Sequence, residues 1–181
     1  MLFRSGPPPH QTGLAMVGAK PGSTVVLAGG GDPALAAEIA LVTGLNGRTL
    51  VVDPSVDERA RIEAAAARAG ALIDIETAPL TKLPVIDGTF DIAVVNELGD
   101  PGVNRDQTVR EAARVVRTGG RVVVIEGKKT AGLRKLWSGG GDRDTIAADE
   151  IIAVLGAAGL RATRLLGSAE GVSYFEGTKQ A

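Results

Sequence analysis

Three short segments of the chain carry residues that could bind a cofactor, and each follows a run of apolar, β-branched residues. They are Ala28, Gly29, Gly30, Gly31 and Asp32, then Asp53 and Pro54, then Asn96 and Glu97. Glycines allow a backbone to approach a ligand closely, and a helix that begins behind them presents free N–H groups. A carboxylate such as Asp53 can accept two hydrogen bonds from the vicinal diol of a ribose. The combination predicts a nucleoside-binding site.

Side chains that could move a proton or hold a metal ion are few. The chain has no Cys and one His, which excludes thiolate chemistry, disulfides, zinc–cysteine sites and multi-histidine metal sites. We therefore predict no metal. The candidate proton acceptors are Glu97 and His10, joined by Asp100 and Glu126 near predicted strand ends, and no spacing singles one of them out.

The elements that must position these residues alternate between strand and helix patterns. Apolar runs predict strands over 24–28, 49–52, 72–76, 90–95, 121–126, 161–166 and 172–176. Helices are predicted over 14–20, 33–43, 57–69, 104–116 and 147–158. Five β–α units followed by a hairpin predict an α/β, doubly wound, mostly parallel seven-stranded sheet. The last two strands are joined by residues 167–171 only, too few for a crossover helix, so they form a C-terminal antiparallel hairpin.

The predicted site lies where such a sheet binds ligands, outside the carboxyl ends of its strands and beside the first strand. Residues 1–13, which include three consecutive prolines, are expected to form an irregular N-terminal arm, and residues 14–181 a single domain. The arm and residues 127–145, with Trp137 and the basic residues Lys128, Lys129, Arg134 and Lys135, are expected to emerge on the ligand side. There they would close over a bound substrate.

Composition excludes several classes of protein. Lys and Arg total 20 against 21 acidic residues, so the formal net charge is −1, and aromatic residues make up 3%. A nucleic-acid-binding protein usually has a basic excess and stacking aromatics, so we expect no nucleic-acid partner. The sequence has no apolar run of about 20 residues and no signal-peptide pattern at its start. We expect a soluble, cytoplasmic protein; a homodimeric assembly is left open.

Two cofactor classes fit a glycine turn with an acid on the second strand: nicotinamide dinucleotides and S-adenosylmethionine. Gly29-x-Gly31-x-x-Ala34 satisfies the dinucleotide pattern. However, the chain has no apparatus for hydride transfer, because its one tyrosine, Tyr174, lies inside the last predicted strand. A closing antiparallel hairpin is also foreign to the dinucleotide fold, so the dinucleotide is the less favoured alternative.

Five segments in register resemble a class I S-adenosylmethionine-dependent methyltransferase, and are most similar to the ubiquinone/menaquinone-biosynthesis type. They are VVLAGGG at 25–31, GRTLVVDPS at 47–55, LPVIDGTFD at 83–91, RVVRTGGRVV at 114–123 and GVSYFEGTK at 171–179. The resemblance implies a small-molecule methyl acceptor and S-adenosylmethionine as cosubstrate. The residues expected to hold the cosubstrate are Ala28, Gly29, Gly30, Gly31, Asp32, Asp53, Pro54 and Asn96.

The chain departs from this family pattern at three places. Leu27 replaces the acid that usually precedes the first glycine, Pro33 replaces the third glycine, and Pro79-Leu80 aligns with the residue that binds the adenine amino group. Methyl transfer is an in-line displacement that requires positioning of two partners rather than a nucleophilic side chain. A catalytically silent binding or scaffolding protein with the same fold is the alternative.

Overall fold

A computed structural model describes residues 9–96, 98–100, 102–127 and 147–181. Its strands are β1 (Thr24–Ala28), β2 (Arg48–Val52), β3 (Asp74–Glu76), β4 (Phe90–Asn96), β5 (Val116–Gly127), β6 (Arg161–Ala169) and β7 (Val172–Thr178). Its helices are α1 (Pro9–Val17), α2 (Pro33–Thr43), α3 (Val56–Ala69), α4 (Arg105–Val115) and α5 (Ala148–Ala157).

The strands form one seven-stranded sheet in the order β3-β2-β1-β4-β5-β7-β6. Strands β1 to β5 are parallel, and β7 lies antiparallel between β5 and β6. Glu170 and Gly171 join β6 to β7 with φ values of 52° and 80°. Two consecutive positive φ angles give the tight turn whose twist matches that of a hairpin. The predicted doubly wound sheet with its C-terminal hairpin is confirmed.

Helices cover both faces of the sheet, which explains why its central strands are apolar without alternation. One face packs against α4 and α5 around Phe90, Leu155 and Phe175. The other packs against α1, α2 and α3 around Ile39 and Ile62. Residues 25–28 of β1 point alternately to the two layers and are all buried, so this part of the strand is a continuous apolar run.

Helix α1 corrects the predicted irregular arm and the helix predicted over 14–20, because it begins at Pro9 and ends at Val17. Proline suits the first turn of a helix, where its missing N–H would have no partner. Gly13 lowers helix propensity, but it brings the helix so close to α2 that a Cβ there would lie 3.0 Å from Leu35 Cδ2. Tertiary packing therefore outweighs propensity at this position. Residues 1–8 of the predicted arm lie outside the described residues.

The connection from β3 to β4 has no helix, in agreement with the predicted helices, none of which lies between residues 76 and 90. The third of the five expected β–α units therefore lacks its helix. Residues 77–89 contain two prolines and cross the sheet as an irregular segment. The Arg114 guanidinium fixes this segment to α4. It donates to the carbonyl oxygens of Leu83 and Val85, each at 3.0 Å, and forms ion pairs with Asp87 and Glu111.

Strand β5 begins at Val116, five residues earlier than predicted, so Gly119 and Gly120 lie within the strand. A Cβ at Gly120 would lie 2.6 Å from the carbonyl oxygen of Asp91, so only glycine permits this approach of β5 to β4. Beyond it, Lys179 donates to the carbonyl oxygens of Arg114 and Val116 where α4 ends. The two glycines therefore serve strand pairing at the amino edge of the sheet.

Replacing Arg114 with Ala is expected to lower the free energy of unfolding by about 2–4 kcal/mol, because it leaves two carboxylates and two carbonyl oxygens without their donor. Arg110→Ala, at an exposed position of the same helix, serves as the control and should cost less than about 0.5 kcal/mol. Urea denaturation measures both. Equal effects of the two substitutions would show that Arg114 does not hold the crossover.

The pKa of Asp91 predicts how the stability of the folded protein depends on pH. Burial alone would raise the pKa of Asp91, but hydrogen bonds from Thr24 and Arg117 outweigh it, and the pKa lies below its ordinary value of 3.8. A lowered pKa in the folded state means that the stabilisation is present above that ordinary value and is lost as the pH falls through the folded pKa. Asp91→Asn should therefore lower the melting temperature at pH 7, and the difference in melting temperature from the wild type should shrink as the pH falls below 3.8. A difference that does not change with pH would contradict this assignment.

Candidate functional site

The glycine turn, residues 29–31, leaves the carboxyl end of β1 at the switch point of the sheet, between β1 and β4. Gly29 has φ +91° and Gly31 has φ +56°, in the left-handed region that favours glycine. The Gly29 N–H donates to the carbonyl oxygen of Val52 at 2.9 Å and continues the pairing with β2. The turn is thus attached to the sheet on the side of the second strand.

Asn96 attaches the turn to the fourth strand. Its Nδ2 donates to the carbonyl oxygen of Gly29 at 2.9 Å, and its side chain is buried. A Cβ at Gly31 would lie only 2.6 Å from Asn96 Cγ, so the amide fills the space that any larger residue would need. The structure therefore places the predicted site residue Asn96 against the turn, where it fixes the turn's shape.

Asp53 connects the turn to the start of α3. Its Oδ2 accepts the Gly30 N–H at 2.6 Å, and its Oδ1 accepts the Ser55 N–H at 2.7 Å. The residue is 8% exposed. Each carboxylate oxygen can accept a second hydrogen bond, so Asp53 keeps acceptor capacity for a ligand hydroxyl. The strand-end position predicted for Asp53 is correct, and its backbone partners add a structural role.

Two further residues lie against the turn that are absent from the predicted site. A Cβ at Gly30 would lie 3.2 Å from Glu58 Oε2, and a Cβ at Gly29 would lie 3.8 Å from Leu80 Cδ1. The spacing of Glu58 from Ser55 is a detectable signal, because S-x-x-E is a capping-box pattern. Leu80 lies on the irregular β3–β4 connection, where no periodicity predicts its direction.

The remaining predicted residues of the first two segments have structural contacts. Asp32 caps α2, since its Oδ1 accepts the Ala34 N–H at 2.9 Å, and Pro33 occupies the first turn of that helix. Ala28 is buried in β1, whereas Pro54 is exposed between β2 and α3. Leu27, at the position where the family pattern has an acid, is buried in the core layer beneath α2.

Two of the candidate proton acceptors, His10 and Glu126, lie near the carboxyl edge of the sheet. Helix α1 runs from this edge, where Gly13 contacts the first turn of α2, to the amino edge, where Gly18 approaches Arg121. His10, in the first turn of α1 and half-buried, therefore lies on the ligand side. Glu126 is buried at the end of β5 and accepts the Gly99 N–H at 3.2 Å. Of the predicted segment 127–145, the structure describes Gly127 alone, which ends β5. The described residues therefore do not include Trp137 or the basic residues of that segment, and they do not include Glu97.

Tyr174 lies on β7 beside this edge and is buried. Burial, together with the negative charges of Asp32 and Glu170, raises the pKa of its hydroxyl. The raised pKa favours the neutral hydroxyl over the phenolate. Within the described ranges, no group of three or more metal-ligating side chains occurs. None of the helices in that part of the chain has the length and apolar character needed to cross a bilayer.

A sequence-family model described as a methyltransferase domain matches residues 26–124, which is more than half of the chain. The chain belongs to this methyltransferase family. The match begins in β1, includes the glycine turn, Asp53 and Asn96, and ends in β5. The resemblance to class I S-adenosylmethionine-dependent methyltransferases is confirmed, and S-adenosylmethionine is the cosubstrate of this family.

Individual relatives agree with this family. A ubiquinone/menaquinone biosynthesis C-methyltransferase of Geobacter sp. (strain M21) is 33% identical over 103 residues, which cover 56% of this chain and 43% of the relative. The chain thus matches less than half the length of that protein. The S-adenosylmethionine-dependent methyltransferase of Aquifex aeolicus has the same fold, with a TM-score of 0.73, 18% identity, and coverage of 93% of this chain and 88% of that one.

A structure described as the [4+2]-cyclase SpnF also shares the fold, with a TM-score of 0.70 and 17% identity over 95% of this chain and 80% of that one. At such low identity the likeness shows the fold alone. The range of names among these neighbours also shows that this fold alone does not define a reaction.

The residues of the site fit the family's cosubstrate. The turn admits no side chain at Gly31 and brings the backbone to the end of β1, as close contact with a ligand requires. Glu58 Oε2 is occluded from solvent and has no hydrogen-bond donor among the described residues, and the acceptor capacity of Asp53 lies beside it. Acceptors at this place suit the hydroxyls of a ribose.

Gly31→Ala is expected to destabilise the protein more than Gly22→Ala does. Both positions have positive φ, but only Gly31 faces a close neighbour; a Cβ at Gly22 meets nothing within 4 Å. The backbone strain shared by both should cost roughly 1–2 kcal/mol, and the contact with Asn96 a further ~1–3 kcal/mol. Urea denaturation measures the difference.

The Gly31→Ala/Asn96→Ala double variant should lose less free energy of unfolding than the sum of the losses in the two single variants. The second substitution removes the side chain that the new Cβ contacts. Strict additivity would show that Asn96 does not set the requirement for glycine at residue 31.

Proposed function

We propose that the protein transfers a methyl group from S-adenosylmethionine to a small-molecule acceptor. The observation that carries this proposal is the glycine turn at the switch point, held by Asp53 from the second strand and by Asn96 from the fourth. Family membership supplies the cosubstrate, and the turn supplies a place for it. The residues of this protein that bind the cosubstrate would be Ala28, Gly29, Gly30, Gly31, Asp32, Asp53, Pro54 and Asn96.

The roles of these residues follow from their contacts. Gly29 to Gly31 would let the backbone lie against the cosubstrate, while Asp53 would accept from its ribose through lone pairs that the backbone leaves free. Asn96 would act indirectly, by fixing the turn. When bound, the cosubstrate supplies an electrophilic methyl group on a sulfonium sulfur. The chain's own task is then to align the acceptor and exclude water.

The acceptor would be a small molecule rather than a nucleic acid, since the chain has almost no net charge and few aromatic residues. A relative named for ubiquinone/menaquinone biosynthesis supports a small-molecule acceptor. An acceptor that arrives protonated requires a base, and His10 and Glu97 are the residues that we propose for it, with Asp100 and Glu126 as alternatives. We place this activity in the cytoplasm.

A catalytically silent binding protein is the second candidate, and one observation favours it. Leu27 occupies the position of the family's first acid and is packed in the core, so it offers no polar group to the cosubstrate. Leu80, near the position of the family's adenine-binding residue, presents a methyl group toward Gly29. Calorimetry with S-adenosylmethionine and a methyl-release assay over candidate acceptors separate the two. Binding with turnover supports the enzyme, whereas absence of S-adenosylmethionine binding favours the catalytically silent scaffolding protein.

Asp53→Ala is expected to weaken binding of S-adenosylhomocysteine by about 2–3 kcal/mol, the scale for losing hydrogen bonds to a charged acceptor. Isothermal titration calorimetry measures the affinity, and circular dichroism confirms that the fold survives. Asp57→Asn, which removes an exposed carboxylate from the first turn of α3, is the control and should bind as the wild type does. Unchanged affinity of Asp53→Ala would remove Asp53 from the site.

A further inference from the structure

Glu58 occupies the position of a capping-box residue, but its carboxylate does not form the capping-box hydrogen bond. It is the third residue of α3, and with Ser55 it forms the S-x-x-E pattern of a capping box. In that motif the serine oxygen accepts the glutamate N–H, and the glutamate carboxylate accepts the serine N–H. Only the first bond forms here, at 3.4 Å. The Ser55 N–H instead donates to Asp53 Oδ1 at 2.7 Å.

Because Asp53 has taken the donor, the Glu58 carboxylate turns toward the glycine turn. Its Oε1 accepts from Arg61 Nη1 at 2.6 Å, one turn along the helix. Its Oε2 is occluded from solvent and accepts no hydrogen bond from the described residues. A Cβ at Gly30 would lie 3.2 Å from this oxygen and 3.2 Å from Asp53 Oδ2, so both carboxylates converge on one residue of the turn.

This arrangement costs stability in the unliganded protein. A carboxylate oxygen without a donor, placed near a second carboxylate, is unfavourable, and the Arg61 ion pair and the amino end of α3 offset only part of the cost. Unsatisfied buried polar groups are rare in folded proteins and require an explanation. A ligand that brings hydroxyl donors to the turn supplies one.

We propose that Glu58 accepts a hydrogen bond from a ribose hydroxyl of the nucleoside cosubstrate, so that Asp53 and Glu58 form the ribose subsite together. This inference rests on the proposed function and adds to it a second binding carboxylate. The Glu58 side chain is 29% exposed and its terminal torsion is soft, so Oε2 can turn to a hydroxyl at Gly30 without movement of α3. Asp53 receives the diol at lone pairs that the backbone leaves free.

The test compares Glu58→Gln and Glu58→Ala with Glu63→Gln, which removes an equal charge from an ion-paired, exposed position of the same helix. The full chain is titrated calorimetrically with S-adenosylhomocysteine and with its 2′-deoxy and 3′-deoxy analogues. Thermal unfolding of each variant is recorded without ligand. The two Glu58 variants differ in size and polarity, so a folding defect of one does not remove the test.

We expect both Glu58 variants to bind S-adenosylhomocysteine about tenfold more weakly than the wild type, the scale of one hydrogen bond to a charged acceptor. The loss should largely disappear for the analogue that lacks the hydroxyl Glu58 accepts. Without ligand, Glu58→Gln should melt at the wild-type temperature or above it. Glu63→Gln should bind as the wild type does.

Wild-type affinity in both Glu58 variants would overturn the inference and leave the proposed function standing. An equal loss of affinity for S-adenosylhomocysteine and for both deoxy analogues would also overturn the inference, because such a loss would not depend on the ribose diol. A wild-type protein that binds none of these ligands would overturn the proposed function itself, and the inference with it.

Discussion

The candidate site depends on a steric constraint: the space beside Gly31 is filled by the amide of Asn96. A Cβ at Gly31 would lie 2.6 Å from Asn96 Cγ, and the same amide holds the carbonyl oxygen of Gly29. Together with the bond from the Gly30 N–H to Asp53, these contacts fix all three glycines between β2 and β4. The turn is therefore shaped by its two neighbouring strands, and its backbone has the same conformation before a ligand binds.

The two edges of the sheet divide structural and functional work between them. At the amino edge, Asp91 joins β1 to β5 by accepting from Thr24 and Arg117, and the Arg114 guanidinium secures a crossover that lacks a helix. Asp91, Arg114 and Arg117 are hydrogen-bonded to their neighbours, although Arg121 Nε at the same edge is buried without a partner among the described residues. At the carboxyl edge, Glu58 Oε2 has no donor among the described residues, so that edge carries polar capacity that folding does not use.

The sequence could predict the sheet and the place of the site, because buried parallel strands are apolar throughout and their carboxyl ends share one edge. That logic brings Gly29, Asp53 and Asn96 together without knowledge of the structure. It could not predict that helix α1 begins at Pro9, since the contact of Gly13 with Leu35 is tertiary. Nor could it predict the direction of Glu58, because the capping-box pattern is overridden by a bond from Ser55 to Asp53.

The most direct test of the account is a ¹H–¹⁵N NMR titration of the full chain with S-adenosylhomocysteine. If the ligand lies against the glycine turn, the amide signals of Gly29, Gly30 and Gly31 shift first and furthest, followed by those at the start of α3. The amides of Gly119 and Gly120, at the opposite edge of the sheet, remain unchanged. Shifts that leave the turn unaffected, or that centre on residues 82–86 and Arg114, would contradict the central claim.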